Sequence, residues 1–146
     1  MSDVLTASIT ELCAADHGND PGAIAAWTAN KTPHGVGAML ASPDTQAYVA
    51  ERQGGIVGVG AISRTGMVTL NYVSPEARYT GVSKALLSRL ESELLTLGHR
   101  EGRLEATATA IEFYRRAGWI GDGPQAEGRR VNGFPMRKLF TAEVRP

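Results

Sequence analysis

The sequence has few of the features that mark secreted, metal-binding and disulfide-bonded proteins. Cys13 is the one cysteine among 146 residues, so no internal disulfide can form. The three histidines, His17, His34 and His99, do not have the spacing of metal ligands. We therefore expect no metal site and a reducing, cytoplasmic setting, with Cys13 a small buried hydrophobe on a helix.

An excess of charge and long apolar runs are also lacking. Fifteen basic and 15 acidic side chains give a formal net charge of zero, and no basic stripe points to nucleic acid or to a membrane surface. No apolar run approaches the ~20 residues that span a bilayer. The start at Met1-Ser2-Asp3 has neither the basic nor the apolar region of a signal peptide. We expect neither a nucleic-acid partner nor a membrane partner.

What the chain does contain is the pattern of one small domain, residues 1–146, with 42% hydrophobic residues for its core. Apolar periodicity predicts early helices, a meander of three antiparallel strands, a long helix, a strand, a short helix and a final hairpin. The predicted helices are 3–16, 22–29, a short one after Thr32-Pro33, 82–97 and 110–117. The predicted strands are 46–52, 56–63, 67–73, 103–107, 127–131 and 136–140. This order predicts an α/β (α+β) fold with a mixed, mainly antiparallel central sheet flanked by helices.

The segment from Leu70 to Leu87 combines a strand, a proline, an arginine, a glycine and the start of the long amphipathic helix. A helix start leaves backbone N–H groups unpaired, and the helix dipole adds a partial positive charge there. An anion such as a pyrophosphate is the natural ligand. Gly81, without a Cβ, would allow close approach, and Arg78 would add a charge-assisted contact. The alternative is an ordinary strand-to-helix turn with a surface arginine.

The glycine-rich stretch from Gly55 to Gly60 is a different case. Its glycines do not follow the order Gly-x-Gly-x-x-Gly, and a strand, not a helix, is predicted after it. We interpret it as a glycine-rich strand.

Two stretches resemble signatures of the GNAT superfamily of N-acetyltransferases. Val73-Ser74-Pro75 with Arg78-Tyr79-Thr80-Gly81-Val82-Ser83 resembles motif A, which is Val-x-Pro, then Arg/Gln-x-x-Gly-x-Gly/Ala and a Leu-rich helix. The stretch Ala110 to Trp119 resembles the downstream signature Ala-x-x-Phe-Tyr-x-x-x-Gly-aromatic. The two stand in the family's order, and the resemblance covers roughly residues 4–140.

The resemblance implies an acyl-CoA N-acyltransferase fold and transfer of the acetyl group of acetyl-CoA to a primary amine of a small acceptor. Transfer would be by direct attack in a ternary complex. It also implies cofactor contacts. The pyrophosphate would be bound by the backbone N–H groups of Gly81, Val82, Ser83 and Lys84. The pantetheine arm and the acetyl carbonyl would pair with backbone groups of Tyr72 and Val73. The polar side chain of Thr107, after the next strand, would contact the cofactor, and Arg115 or Arg116 would meet the adenosine phosphate.

The resemblance further implies that Tyr114 protonates the departing thiolate, since a phenol of pKa ~10 is protonated at neutral pH. The alternative is a core aromatic beside Phe113. No general base is evident, because the position where many relatives carry a glutamate is Met67. Thr69 and Asn71 could orient a substrate or water. Glu105 and the pair Asp16-His17 are the candidate bases. Deprotonation through a water molecule and an amine that arrives already neutral are equally open alternatives.

The sequence departs from the family at two points. Ser83 stands where motif A has Gly or Ala, and would either crowd the turn or donate a hydrogen bond. A helix pattern begins almost at once where such domains usually begin with a strand, so we expect that the first strand is missing or lies upstream. A degenerate acetyl-CoA-binding module without turnover is the alternative function, and the lack of an evident general base favours it.

The sequence says less about the acceptor and about the oligomeric state. Trp27 and Trp119 are most simply core residues, but the stretch from Trp27 to Lys31 could line the acceptor pocket. The tail hairpin, about 127–140, and an edge left open by a missing first strand could pair with a second copy, so we predict a homodimer.

Overall fold

The computed structural model of the chain describes residues 1–124 and 133–140. Its helices are α1 (Ser2–Leu12), α2 (Ala14–His17), α3 (Pro21–Thr28), α4 (Pro33–Leu40), α5 (Val82–Thr96) and α6 (Ile111–Arg116), with a 3-10 turn at Pro75–Ala77. Its strands are β1 (Thr45–Arg52), β2 (Gly55–Ser63), β3 (Val68–Val73), β4 (Glu101–Ala106), β5 (Ile120–Gly121) and β6 (Phe134–Leu139). Within these described residues, no helix is long and apolar enough to cross a membrane.

The strands form two three-stranded antiparallel sheets, in the orders β1-β2-β3 and β4-β6-β5. The sheets meet at one parallel bridge, Met67–Arg103, where the Arg103 N–H donates to the Gly66 carbonyl over 3.0 Å. Beyond this bridge the described residues contain no pairing between β3 and β4, and a cavity of about 50 Å³ lies between the two strands. The predicted α+β class is confirmed, and the edge of β3 that faces β4 is left open.

The first sheet is covered by a helix on each face. Leu87, Leu90 and Leu94 of α5 pack with residues of both sheets in the largest buried cluster. On the other face, Val4 and Leu5 of α1 pack on Val59. The end of β3 is therefore held between α1 and α5.

The glycine-rich stretch is strand β2, as predicted, and two of its glycines explain how close α5 lies. A Cβ on Gly58 would meet Val82 Cγ1 at 3.1 Å, and one on Gly60 would meet Leu90 Cδ1 at 3.0 Å. These contacts are tighter than ordinary packing, so glycine at both positions lets α5 sit directly on the strand.

The predicted helix 3–16 is wrong in one respect, because it is divided at Cys13, whose φ and ψ are −106° and 32°. Cys13 is buried as expected, but it lies between two helices and not within one. The His17 ring bonds the Ile9 carbonyl at 2.8 Å. An uninterrupted helix would separate residues 9 and 17 by about 12 Å along its axis, so this contact requires the break.

The tail is described only in part. Residues 127–131, the first half of the predicted hairpin, lie outside the described residues. The second half is β6, which pairs with β4 on one side and with the two-residue strand β5 on the other. The sequence did not predict β5, because two residues carry no periodicity.

Candidate active site

A cleft of about 390 Å³ opens at the carboxyl end of β3, between α1, the first turn of α5 and α6. Its lining residues are Ser8, Leu12, Cys13, Asn71, Tyr72, Val73, Arg78, Tyr79, Gly81, Ser83, Lys84, Thr107, Thr109, Ala110, Glu112, Phe113, Tyr114 and Arg116. These include Tyr114 and the predicted cofactor contacts, except Arg115 and Val82. The Val82 side chain is buried under the turn with Val73 and Ala77. A shallower depression of about 720 Å³ around Gly66, His99 and Arg100 contains none of the predicted site residues.

The turn before α5 has the geometry of an anion-binding helix start. Gly81 caps the helix with φ 86°, and no side chain bonds the free N–H groups. The first bonded amide is that of Ala85, which donates to the Gly81 carbonyl over 3.0 Å. In the part of the chain that the structure describes, the N–H groups of residues 81–84 therefore make no hydrogen bond within the protein. A Cβ on Gly81 would meet nothing within 4 Å, so the space above the turn is open.

Two cations of the turn, Arg78 and Lys84, are exposed at the cleft. The Arg78 guanidinium lies 4.7 Å from the centre of the Tyr79 ring. Arg52 of β1 braces the turn from outside, where its Nη2 donates to Thr80 Oγ1 over 3.3 Å. Arg116 also lines the cleft, whereas Arg115 pairs with Glu112 at 2.9 Å on the surface.

Tyr114 combines the two roles weighed from the sequence. Its ring is 7% exposed and packs edge-on against Phe113 at 5.2 Å and Trp119 at 6.1 Å, yet it lines the cleft. Burial raises the pKa of the Tyr114 hydroxyl to about 12, and a hydrogen bond with the Asn71 side chain partly offsets the rise. The hydroxyl is thus held protonated at neutral pH.

Asn71 lies on β3 and lines both the cleft and the smaller cavity between β3 and β4. Its Oδ1 is buried and has no hydrogen-bond partner in the described residues. A buried acceptor without a partner is rare in native proteins, and its place in the cleft makes it available to a substrate N–H.

The α1 side of the cleft is formed by Cys13 and Tyr72, with Trp27 behind them. Burial raises the pKa of the Cys13 thiol to about 12, with a further rise from the Asp16 carboxylate, so the thiol is a poor nucleophile at neutral pH. Burial likewise raises the pKa of Tyr72, and a hydrogen bond with Trp27 opposes this. Trp27 is 8% exposed and belongs to the core, as the simpler interpretation had it.

Comparison with known proteins identifies the family to which this chain is related. The model of the family "Acetyltransferase (GNAT) domain" matches residues 13–140. The chain belongs to the GNAT acetyltransferase family.

One relative supports the acetyltransferase assignment by its name. An "IAA acetyltransferase" of Azospirillum brasilense is 38% identical over 93 residues, which cover 58% of this chain and 61% of that protein. The match therefore spans less than two thirds of the curated relative.

Two solved structures share the fold. A GCN5-related N-acetyltransferase of Rhodopseudomonas palustris superposes with a TM-score of 0.83 at 22% identity, covering 95% of this chain and 87% of that one. PaiA N-acetyltransferase of Thermoplasma acidophilum, solved in complex with coenzyme A, gives 0.76 at 17% identity, covering 95% and 92%. At these identities the likeness establishes the GNAT fold alone.

The candidate bases of this GNAT domain do not all line the cleft. Glu105 lines the small cavity between β3 and β4. Met67, which stands at the family's glutamate position, lies at the junction of the two sheets, away from the cleft. The His17 ring has a partner on each nitrogen: Nδ1 accepts from the Asn19 N–H at 2.9 Å, and Nε2 donates to the Ile9 carbonyl at 2.8 Å. His17 therefore holds the α1–α2 corner together and has no free nitrogen to accept a proton.

Asp16 connects the α1–α2 corner to the loop before α6. Its carboxylate accepts from the Ala108 N–H at 2.6 Å, and from the N–H and hydroxyl of Thr109 at 3.2 and 2.6 Å. Thr107 precedes this loop and Tyr114 follows it, so Asp16 fixes the wall of the cleft that carries both. Sequence reasoning missed this role, because the bonded residues are 92 and 93 positions apart.

We expect Asp16→Asn to lower the free energy of unfolding by about 1–2 kcal/mol, because an amide nitrogen would face donors of the loop. Urea denaturation followed by circular dichroism measures this. Asp20→Asn is the matched control: Asp20 caps α3 by accepting from the Ala23 N–H at 2.8 Å, and asparagine caps equally well. Equal losses in the two variants would contradict the bridging role.

Proposed function

We propose that the protein is an N-acetyltransferase that moves the acetyl group of acetyl-CoA to a primary amine of a small acceptor, by direct attack in a ternary complex. The observation that carries the proposal is the pairing of two features in one cleft. The turn at 81–84 presents free amides with a helix dipole behind them, and Tyr114, whose hydroxyl is protonated at neutral pH, lines the same cleft.

The charge of the cleft supports acetyl-CoA as the ligand, because Arg78, Lys84 and Arg116 line it. The amides of Gly81, Val82, Ser83 and Lys84 would bind the pyrophosphate, with Arg78 as a charged partner. Arg116 is the better placed arginine for the adenosine phosphate, since Arg115 is paired elsewhere. The open edge of β3 would pair its Tyr72 and Val73 backbone groups with the pantetheine arm, with Thr107 opposite. PaiA of Thermoplasma, with the same fold, was solved with coenzyme A bound.

In the reaction the amine nitrogen attacks the thioester carbonyl, a C–N bond forms and the C–S bond breaks. The coenzyme A thiolate takes the Tyr114 proton, and the tyrosinate recovers a proton from the solvent or from the attacking nitrogen. Direct attack is favoured over an acetyl-cysteine intermediate, because burial raises the pKa of the Cys13 thiol in the cleft to about 12 and makes it a poor nucleophile.

The amine must lose a proton, and we propose that it arrives neutral or passes the proton to water. Asp16 and His17 are engaged in structural hydrogen bonds. The unpaired Oδ1 of Asn71 would accept a hydrogen bond from the amine and orient its lone pair towards the carbonyl.

Calorimetry and turnover together test the proposal. Acetyl-CoA should bind the purified protein, and at least one member of a broad amine panel should release free thiol, with intersecting initial-velocity lines as a ternary complex requires. Parallel lines would contradict direct attack, and no binding of acetyl-CoA would contradict the function itself.

A second candidate is a module that binds acetyl-CoA without turnover. It is favoured by one observation, the methionine at the position of the family's frequent glutamate base. Binding of the cofactor with no thiol release across the panel would support it over the enzyme.

We also propose that the chain acts as one domain and as a cytoplasmic homodimer. The described part of the tail, β6, has strands on both sides, so β1 is the better candidate for pairing, since it is the outer strand of its sheet. Sedimentation velocity at high micromolar concentration tests this, and a monomeric mass would contradict it.

A further inference from the structure

Tyr79 is an aromatic residue in an unusual position at the mouth of the cleft. Its side chain is 89% exposed, more than any other large hydrophobic side chain of the described residues. Its backbone is left-handed, with φ 65°, a conformation that glycine and asparagine adopt more readily than tyrosine. Both features cost stability without any compensating burial. A strained residue at a cleft is a reason to look for a ligand.

The position of Tyr79 matches the nucleotide end of a bound coenzyme A. Tyr79 lies two residues before Gly81, so its Cα is within about 7 Å of the start of the amide turn. In coenzyme A the adenosine is attached directly to the pyrophosphate, on the side opposite the pantetheine arm. A ligand whose pyrophosphate sits on residues 81–84 and whose thioester reaches Tyr114 therefore places its adenosine near the rim of the turn.

The chemistry of the ring also fits a purine. The Arg78 guanidinium lies 4.7 Å from the ring centre, as a cation does over an aromatic face. With so little of the ring covered, the remaining surface is free for a flat base to stack. Stacking needs no specific hydrogen bonds and works for any π-face, so one exposed ring is enough.

We propose that Tyr79 is the stacking platform for the adenine of acetyl-CoA, with Arg78 as the link between the ring and the phosphates. This rests on the proposed function, since it concerns the same co-substrate. It assigns the exposed ring to affinity for the nucleotide and not to the acetyl transfer.

Three variants separate the ring from the backbone turn. Tyr79→Asn removes the ring but suits the left-handed conformation, so the turn should be kept or relaxed. Tyr79→Phe and Tyr79→Trp retain an aromatic face and are the matched controls. Calorimetry with coenzyme A and with 4′-phosphopantetheine gives the dissociation constants. The second ligand keeps one phosphate of the pyrophosphate and lacks the adenosine with its two other phosphates. Quenching of the base fluorescence of 1,N6-etheno-coenzyme A reports stacking directly.

We expect Tyr79→Asn to bind coenzyme A at least about fivefold more weakly and to lose the fluorescence quenching. Its affinity for 4′-phosphopantetheine should equal that of the wild type, and the Phe and Trp variants should behave like the wild type with all ligands. Unchanged coenzyme A affinity and quenching in Tyr79→Asn would overturn the stacking role alone. An equal loss for 4′-phosphopantetheine would overturn it too, by showing an effect on the turn. Failure of the wild type to bind coenzyme A at all would overturn the proposed function as well.

Discussion

Tyr114→Phe should lower the turnover number by roughly 10²–10⁴-fold and leave the affinity for acetyl-CoA almost unchanged. The substitution removes the hydroxyl that would protonate the leaving thiolate, while the ring keeps its contacts with Phe113 and Trp119. The loss would be at the lower end if the coenzyme A thiolate leaves without full protonation. Melting temperature, cofactor affinity and turnover should be measured on the same preparation.

Tyr48→Phe is the matched control for this experiment. The Tyr48 hydroxyl donates to Gln46 Oε1 at 3.0 Å and lies outside the cleft, so its removal should leave turnover unchanged. If Tyr114 has only a core role, Tyr114→Phe will lose a hydrogen bond and lower the free energy of unfolding by ~1 kcal/mol. The melting temperature will then fall, with normal turnover per folded molecule. That result would remove the general-acid role.

The dependence of turnover on pH is a second test of Tyr114 as the general acid. Because burial raises the pKa of Tyr114 to about 12, its hydroxyl should remain an acid across the accessible alkaline range. The rate should therefore rise as the acceptor amine is deprotonated, with no descending limb below about pH 10. A descending limb with an apparent pKa near 8 or 9 would assign the acid to another group.

The parts of the fold and site that the sequence predicted are those specified by local patterns. The stripe of Leu86, Leu90 and Leu94 gives α5 its buried face. The predicted helix 82–97 ends where expected, and Gly98 follows it with φ 98°. Gly81 has the positive φ that a tight helix start requires. In each case the deciding neighbours are within a few residues, so a single sequence contains the information.

The parts that escaped prediction depend on contacts between distant residues. Nothing near Asp16 indicates that its partners are Ala108 and Thr109, and nothing near Cys13 indicates that it lines the same cleft as Tyr114. The interaction of Asn71 with Tyr114 requires β3 and α6 to meet across the gap between the sheets. Such contacts follow from the assembled fold and have no local signature.

Gly81→Val should weaken acetyl-CoA binding at least about tenfold, which corresponds to ~1.4 kcal/mol. Two causes act together. A Cβ at this position would project into the open space above the amides, where it meets no protein atom within 4 Å and would meet the pyrophosphate instead. A β-branched residue also resists φ 86°, so the turn would move its N–H groups away from a common target.

Gly98→Val separates these causes from a general loss of stability. Gly98 has φ 98° and equally open space around its Cβ position, so valine there carries the same backbone strain. It lies beyond the other end of α5, about 22 Å from the amide turn for a helix of 15 residues. Both variants should therefore melt at a lower temperature, and only Gly81→Val should lose affinity by calorimetry. Equal affinities in the two variants would contradict binding of the pyrophosphate at the start of α5. The placement of the thioester beside Tyr114 depends on that binding and would be contradicted with it.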